Sequence, residues 1–352
     1  MFSRPAVLVL CATGANCLAG LRPAEKKKMY VMPDQVRSAA EIQGGTEVNR
    51  PQPVDLTRRP RIGESLIQIV LFACGFISIF TTLGIVWVLI SQALLFFADP
   101  AVSVGEFFTG TVWQPQIQRF GVLPLVNATL MVTVIGLLVA VPLGVATAIY
   151  MSEYASARMR GILKPIIELL AGIPTVVYGY FALTFVTPAL RGLFGPDVVQ
   201  VYNTLAAGLV VGVLIIPIIA TLGEDALSAV PSGLRQASYG LGATRWETAT
   251  KVVLPAALSG LLAAIIVAMS RAIGETMVVA LAAGASPSFT FNPFNPAETM
   301  TGHIARISGG DLSYGTVDYT SLFAIGLLLF CITFVLNLLS RWIVGRFREV
   351  YE

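Results

Sequence analysis

Residues 204–255 read TLAAGLVVGVLIIPIIATLGEDALSAVPSGLRQASYGLGATRWETATKVVLP, and the stretch changes solvent part-way along. Its first part, 204–223, contains no charged residue. At 1.5 Å rise per residue such a run crosses the roughly 30 Å hydrocarbon core of a bilayer. Its second part, 224–255, gathers Glu224, Asp225, Arg235, Arg245, Glu247 and Lys251. A helix is predicted from Ser232 to Leu241, with Gly242 supplying the positive φ that ends it. Thr244 stands three residues before Glu247, the spacing of a capping box that starts a second short helix. The expected product is a spanning helix followed by two short helices around a sharp turn. Closely spaced Arg235, Arg245, Glu247 and Lys251 suit an exposed docking surface, and Tyr239 and Trp246 are aromatic anchors of the kind found at interfaces. The competing reading is that Trp246 and the basic residues hold the loop against lipid headgroups. A DNA-reading helix pair is disfavoured because short membrane-proximal tethers flank it on both sides.

The rest of the chain has the same character. Of 352 residues, 55% are hydrophobic and 12% charged, about half the charged fraction of a soluble domain. Six apolar segments are expected, at about 67–97, 125–150, 165–188, 204–223, 256–284 and 321–343. Pro142, Pro217 and the Gly172-Ile173-Pro174 break fall inside them. Proline is tolerated at such depth where neighbouring helices satisfy the freed carbonyls, which points to a packed bundle. The fold class is therefore all-α, a polytopic transmembrane helix bundle of six spans. The net charge of +3 gives no support to a nucleic-acid partner.

Lysine and arginine set the orientation. Arg158, Arg160 and Lys164 lie between segments two and three, and Arg235, Arg245 and Lys251 between four and five. The remaining connections carry one basic residue each, Arg119, Arg191 and Arg306, while Arg58, Arg59 and Arg61 precede the first segment and Arg341, Arg346 and Arg348 follow the last. Both termini and the 224–255 loop are thus expected in the cytoplasm, and 98–124, 189–203 and 285–320 outside. The last connection, with Asn292-Pro293-Phe294-Asn295-Pro296, is expected to be a loop with short turns. His303 is expected at its surface, with Asp311 and Asp318 facing a soluble partner.

Residues 1–60 differ from the rest and are expected to form a poorly structured cytoplasmic tail. The Pro5–Cys11 run looks like the apolar part of a signal peptide without a clear cleavage site, and a mis-called start upstream of Met29 or Met32 is an equal reading. The four cysteines, Cys11, Cys17, Cys74 and Cys331, form no CxxC pair. With one histidine, no zinc or redox motif is visible. No GxxxxGK[ST] phosphate loop occurs, so nucleotide-driven transport would need another chain. No metal and no cofactor are expected.

Within the fifth segment Arg271 and Glu275 are four residues apart, a spacing that shares one helical face. Arg271 falls roughly 22 Å along a helix begun at Ala256. Charges at that depth are costly unless paired or wet, so both should point into the bundle. They are read either as a self-neutralising packing pair or as a lining of the translocation path, where guanidinium suits tetrahedral oxyanions. Glu168 is a weaker path candidate near the cytoplasmic end of segment three. Gly172, Pro174 and Gly179 are read as a hinge or as close helix packing.

The spacing Gln236-Ala237-Ser238, three residues, Gly242, nine residues, Val252-Val253-Leu254-Pro255 resembles the loop of the inner-membrane permeases of ATP-binding cassette importers. Their pattern is EAA, three residues, Gly, nine residues, Ile-x-Leu-Pro; Gln236 and Ser238 depart from it. Within those permeases the chain is similar to the PstC type, through Phe107-Phe108-x-Gly110-x-x-Trp113, Phe120-Gly121-Val122-Leu123-Pro124-Leu125, Ala171 to Gly179, Gly242-Ala243-Thr244-Arg245-Trp246, Arg271-Ala272-Ile273-Gly274-Glu275-Thr276 and Glu298-Thr299-Met300-Thr301. The PstA type shares several of these.

The resemblance implies a MetI-like permease domain over 61–350 and a non-catalytic subunit of a bacterial inner-membrane phosphate importer. It assigns ATPase coupling to Gln236, Ala237, Gly242, Thr244, Arg245, Trp246, Glu247, Leu254 and Pro255. The implied partners are a second, PstA-like permease, two copies of a PstB-like ATP-binding subunit and an extracytoplasmic phosphate-binding protein, with phosphate as cargo. A PstA-like role, another oxyanion such as sulfate or molybdate, and an ATP-independent carrier are the alternatives.

Overall fold

The computed structural model of the protein describes residues 62–310 and 315–347. The expectations for residues 1–60, for Asp311 and for Arg348 lie outside the described residues. The chain divides into two units, Met1–Ile69 and Val70–Glu352; of the first, only the opening turns of helix α1 are described. Helix α1 runs Ile62–Ala98. Phe72, Phe80 and Trp87 on it are more than two-thirds exposed, a surface that hydrocarbon tolerates and water does not.

A small subdomain follows. Helix α2 (Val104–Thr109) leads to strands β1 (Trp113–Gln114) and β2 (Arg119–Phe120), paired antiparallel with Trp113 opposite Phe120. Phe96, Phe107, Trp113 and Phe120 are buried and meet edge to face at 5.3–6.4 Å between ring centres, a geometry that adds to area burial. Backbone approaches backbone here. A Cβ on Gly110 would stand 2.7 Å from Gly121 Cα, so this contact admits only glycine.

Helix α3 (Leu123–Ile149) passes through Pro142 and ends in a π-helical turn, Tyr150–Tyr154. Helix α4 (Ala157–Ala171) is separate, begun by Ser156, whose Oγ accepts from the Met159 amide. Then come α5 (Thr175–Phe181), a π-turn at Ala182–Val186, and α6 (Thr187–Phe194), which together make one span, Thr175–Phe194. This corrects the expected third segment: it does not begin at 165. Pro174 disfavours helical backbone at Ile173 and itself sits at φ −56°, ψ 133°, so the chain restarts as helix only at Thr175. Residues 165–171 belong instead to α4, and Glu168 is exposed on it.

Helix α7 (Thr204–Ser228) carries the deciding apolar run through Pro217. It packs on α3 through small residues. A Cβ on Gly212 would stand 2.9 Å from the Gly136 carbonyl oxygen, and one on Gly208 2.7 Å from Ile135 Cβ. Close approach through glycine replaces the hydrophobic drive that lipid does not provide.

The polar arm follows as α8 (Ser232–Gly240) and α9 (Arg245–Thr248). A π-turn at Ala249–Val253 and the single turn α10 (Leu254–Ala256) lead into α11 (Leu258–Ile273), with a 73° bend between the two arms. Helix α12 (Met277–Ala282) begins after a break, so the expected 256–284 segment is not one helix. Among the described residues five helices are long and apolar enough to cross a membrane, six when the bent pair counts as one.

The connection at 285–320, expected as a loop with short turns, has its turns at 285–299 and a helix beyond them. Amides of Gln200, Thr204 and Leu205 donate to the carbonyls of Phe294, Asn295 and Pro293, fastening that stretch to the start of α7. Helix α13 (Met300–Ser308) is then set among the spans, with Met300, Thr301 and His303 buried. Helix α14 (Val317–Phe347) closes the described fold.

Candidate functional site

The polar arm is held rigid by local chemistry. Gly242 adopts φ +84°, the left-handed conformation that ends α8. Thr244 Oγ1 accepts from the Glu247 amide while Glu247 Oε2 accepts from the Thr244 amide at 3.0 Å, the predicted capping box. Ser238 and Thr248 hydroxyls meet at 2.9 Å, buried between the two helices. Replacing Thr244 with alanine is expected to cost about 1 kcal/mol locally, read as roughly fivefold faster hydrogen exchange at the Glu247 amide.

What the arm presents is a mixed face with large apolar side chains in it. Leu241 is 90% exposed, Trp246 60% and Tyr239 41%. Gln236, Ala237, Gly242, Thr244, Arg245 and Pro255 are exposed, and Glu247 and Leu254 half-buried. Arg235 departs from its expected docking role. Its side chain is 18% exposed and grips Glu153, 4% exposed, at 2.9 Å. Its guanidinium also donates to the Val230 and Leu227 carbonyls.

A second ionic node lies at the same end of the bundle. Lys164 of α4 reaches Glu224 of α7 at 3.0 Å and Asp225 at 3.2 Å, and Arg160 approaches Glu224 at 3.5 Å. The Glu224 hydrogen bond is the chief reason the Lys164 ammonium is held above the ordinary lysine pKa. Arg160 also donates to the Met151 and Ser152 carbonyls of the first π-turn.

Arg271 closes α11 and Glu275 stands in the break before α12. The structure brings them together, Nη1 to Oε2, at 2.7 Å. Glu275 is 2% exposed but the Arg271 side chain 43%. Of the two residues expected to point into the bundle, Glu275 is enclosed within this chain, whereas the Arg271 side chain lies on the chain's surface although its neighbours Ala272 and Ile273 are buried. Glu275 has a second task that a continuous helix concealed. Its Oε1 accepts from the Met277 and Val278 amides at 3.2 and 3.4 Å, capping the start of α12, and its carbonyl accepts from Thr301 Oγ1 at 2.6 Å. Gly179 on α5 packs against α12, where a Cβ would stand 2.8 Å from Leu281 Cδ1. Gly172 and Pro174 mark the break before α5.

On the opposite side, His303 is buried, which corrects its expected surface place. Its Nδ1 is 3.2 Å from Glu298 Oε1, and Arg306 Nε is 2.8 Å from the same oxygen. The Trp113 ring meets the imidazole edge-on at 5.3 Å. A cavity of about 450 Å³ lies beside them, lined by Trp113, Ser286, Arg306 and Asp318 among others. Among the described residues no cluster of His, Cys, Asp and Glu fit to hold a metal occurs. Sequence reasoning missed the burial of Glu224 and Glu298 and of the Glu153 carboxylate, whose side chain is 4% exposed. Glu153 and Glu224 share one legible signal: each is the first acid after a long apolar run.

Comparisons with known proteins agree with this architecture. The model of the family described as "Binding-protein-dependent transport system inner membrane component" matches residues 140–349. The chain is 36% identical over 281 residues to the probable ABC transporter permease YqgH of Bacillus subtilis, covering 79% of this chain and 90% of that protein. It is 32% identical over 258 residues to the phosphate transport system permease protein PstC of Mesorhizobium japonicum, covering 68% of this chain and 78% of the relative. A bacterial ABC transporter involved in importing the acidic polysaccharide alginate shares the fold, with a TM-score of 0.56 at 16% identity over 82% of this chain and all of that one. With an apolar bundle, a capped polar arm and a matching family model over most of its length, the chain belongs to the inner-membrane permeases of binding-protein-dependent ABC importers, non-catalytic membrane subunits.

Proposed function

We propose that the chain is the PstC-type permease of a phosphate importer, that residues 61–350 form its permease domain, and that the arm at 224–255 receives movement from an ATPase. The observation that carries the cargo is Arg271: a half-exposed guanidinium at the end of a spanning helix, restrained by one buried carboxylate. Guanidinium donates paired hydrogen bonds to tetrahedral oxyanions, and Glu275 keeps that grip weak enough for release. Relatives called phosphate permeases, at 30–32% identity, support the same cargo. The coupling role rests on the exposed Leu241 and Trp246 beside an intact motif spacing.

In this reading two PstB-like subunits hydrolyse ATP, a PstA-like chain completes the path, and an extracytoplasmic protein delivers phosphate. Arg160, Lys164 and Arg235 share one end of the bundle through their bonds to Glu224 and Glu153, which supports a cytoplasmic arm, cytoplasmic termini and an inner-membrane location. The test is reconstitution with the ATPase and binding protein in vesicles. ATP-dependent accumulation of inorganic phosphate, not diminished by excess sulfate or molybdate, is expected. Uptake without ATP, or preference for sulfate, overturns it.

A further inference from the structure

The arm does not hang freely from the spans. It continues covalently into α7 and α11, packs Leu234 and Val253 in an apolar cluster with Ala148 of α3 and Leu227 of α7, and is held besides by one charged side chain. Arg235, in the first turns of α8, sends Nε and Nη2 to both oxygens of Glu153 at 2.9–3.3 Å. Glu153 belongs to the π-turn that ends α3. The same guanidinium donates to the Leu227 and Val230 carbonyls at the end of α7. One planar group thus joins the arm to the ends of both α3 and α7, the pair whose glycine faces bring backbone against backbone. A bidentate guanidinium–carboxylate contact resists rotation as well as separation, and with side chains 18% and 4% exposed it is only partly open to screening. The exposed residues Tyr239, Leu241 and Trp246 take no part in it.

We infer that Arg235 and Glu153 form the joint through which movement of the arm reaches the α3–α7 core, Arg235 acting as a positioning residue rather than as a docking residue. The inference rests on the coupling role proposed above and adds the route inside the chain. Loss of the joint should leave ATPase docking intact, because the exposed face is untouched and Ser238–Thr248 and the capping box still hold the arm's shape. It should disconnect ATP hydrolysis from transport. A merely structural role predicts the opposite, with docking and transport failing together.

The test uses the reconstituted complex with the four native cysteines replaced by alanine and spin labels at Ala146→Cys on α3 and Gly233→Cys on α8. A Cβ at Gly233 meets nothing within 4 Å. With the joint intact, the distance between labels is expected to stay the same with and without ATP. In Glu153→Gln, and in Arg235→Lys should Glu153→Gln not insert, the ATPase is expected to co-purify and hydrolyse ATP. The label distance should then shift or broaden on ATP addition, with phosphate moved per ATP falling about tenfold, the loss expected for one charge-assisted contact. The double variant should be no worse than the worse single one, since the two residues act as a unit. The inference is overturned if the variant's distance stays fixed, if phosphate per ATP is unchanged, or if ATPase binding is lost with the joint. Failure of the parent to bind the ATPase instead sinks the coupling role itself, and the joint with it.

Discussion

Arg271→Ala is expected to cut phosphate uptake by about 10- to 150-fold, the factor that follows from removing a charge-assisted hydrogen bond of roughly 1.5–3 kcal/mol. The variant should still insert and recruit its ATPase. Arg271 lies far from the arm, and Glu275 retains the Met277 and Val278 amides as partners. Glu275→Gln tests the other half of the pair. It keeps the shape and an oxygen for the α12 amides but removes the charge that restrains the guanidinium. Its half-saturating phosphate concentration should fall and its maximal rate should fall too, because an unrestrained Arg271 releases cargo slowly. Uptake measured against phosphate concentration separates the two variants. Normal uptake by Arg271→Ala removes Arg271 from the path.

The second large effect lies in the core. Gly212→Val places a Cβ 2.9 Å from the Gly136 carbonyl and 3.1 Å from Val139 Cβ, and Gly208→Leu one 2.7 Å from Ile135 Cβ. Neither neighbour is the free end of a flexible chain, so α3 and α7 must separate. Overpacking of this kind costs roughly 1–3 kcal/mol or more. Each variant should show a markedly lower melting temperature in detergent and little monodisperse protein. Gly233→Ala, where a Cβ meets nothing, is the control and should behave as the parent. A parental melting temperature for Gly212→Val would show that the α3–α7 contact carries little of the stability.

Most of the spans were legible because hydrocarbon imposes a length and a composition that few other settings demand. The capping box and Gly242 were legible because they are local: three or four residues determine them. What escaped were features set by tertiary neighbours. Hydropathy alone merged 165–171 with the following span, although Pro174 had already written the stop; the amphipathic α4 is tied down by Lys164 to an acid sixty residues away. The break at Gly274–Thr276 was invisible to apolar run length, so Glu275 was read as a helical neighbour of Arg271 rather than as the cap of a new helix. Arg235 and His303 were assigned to surfaces by residue type, yet Glu153 draws the first inward and the second is buried beside Glu298. A sequence states that a charge exists, and only the fold states whether a partner waits for it.

The 73° bend at Ala257 sets up a simple leverage. Trp246 and Arg271 are at opposite ends of one elbowed piece of chain, and Arg271 lies about 20 Å beyond the elbow. Tilting that far limb by about 6° sweeps its tip through about 2 Å. Glu275 is tied to both limbs, its amide donating to the Ala272 carbonyl of α11 at 3.2 Å while its carboxylate and carbonyl take partners from α12 and Thr301. In the coupling role proposed above, such a tilt would load the junction of α11 and α12, where the 2.7 Å Arg271–Glu275 contact bridges the two limbs.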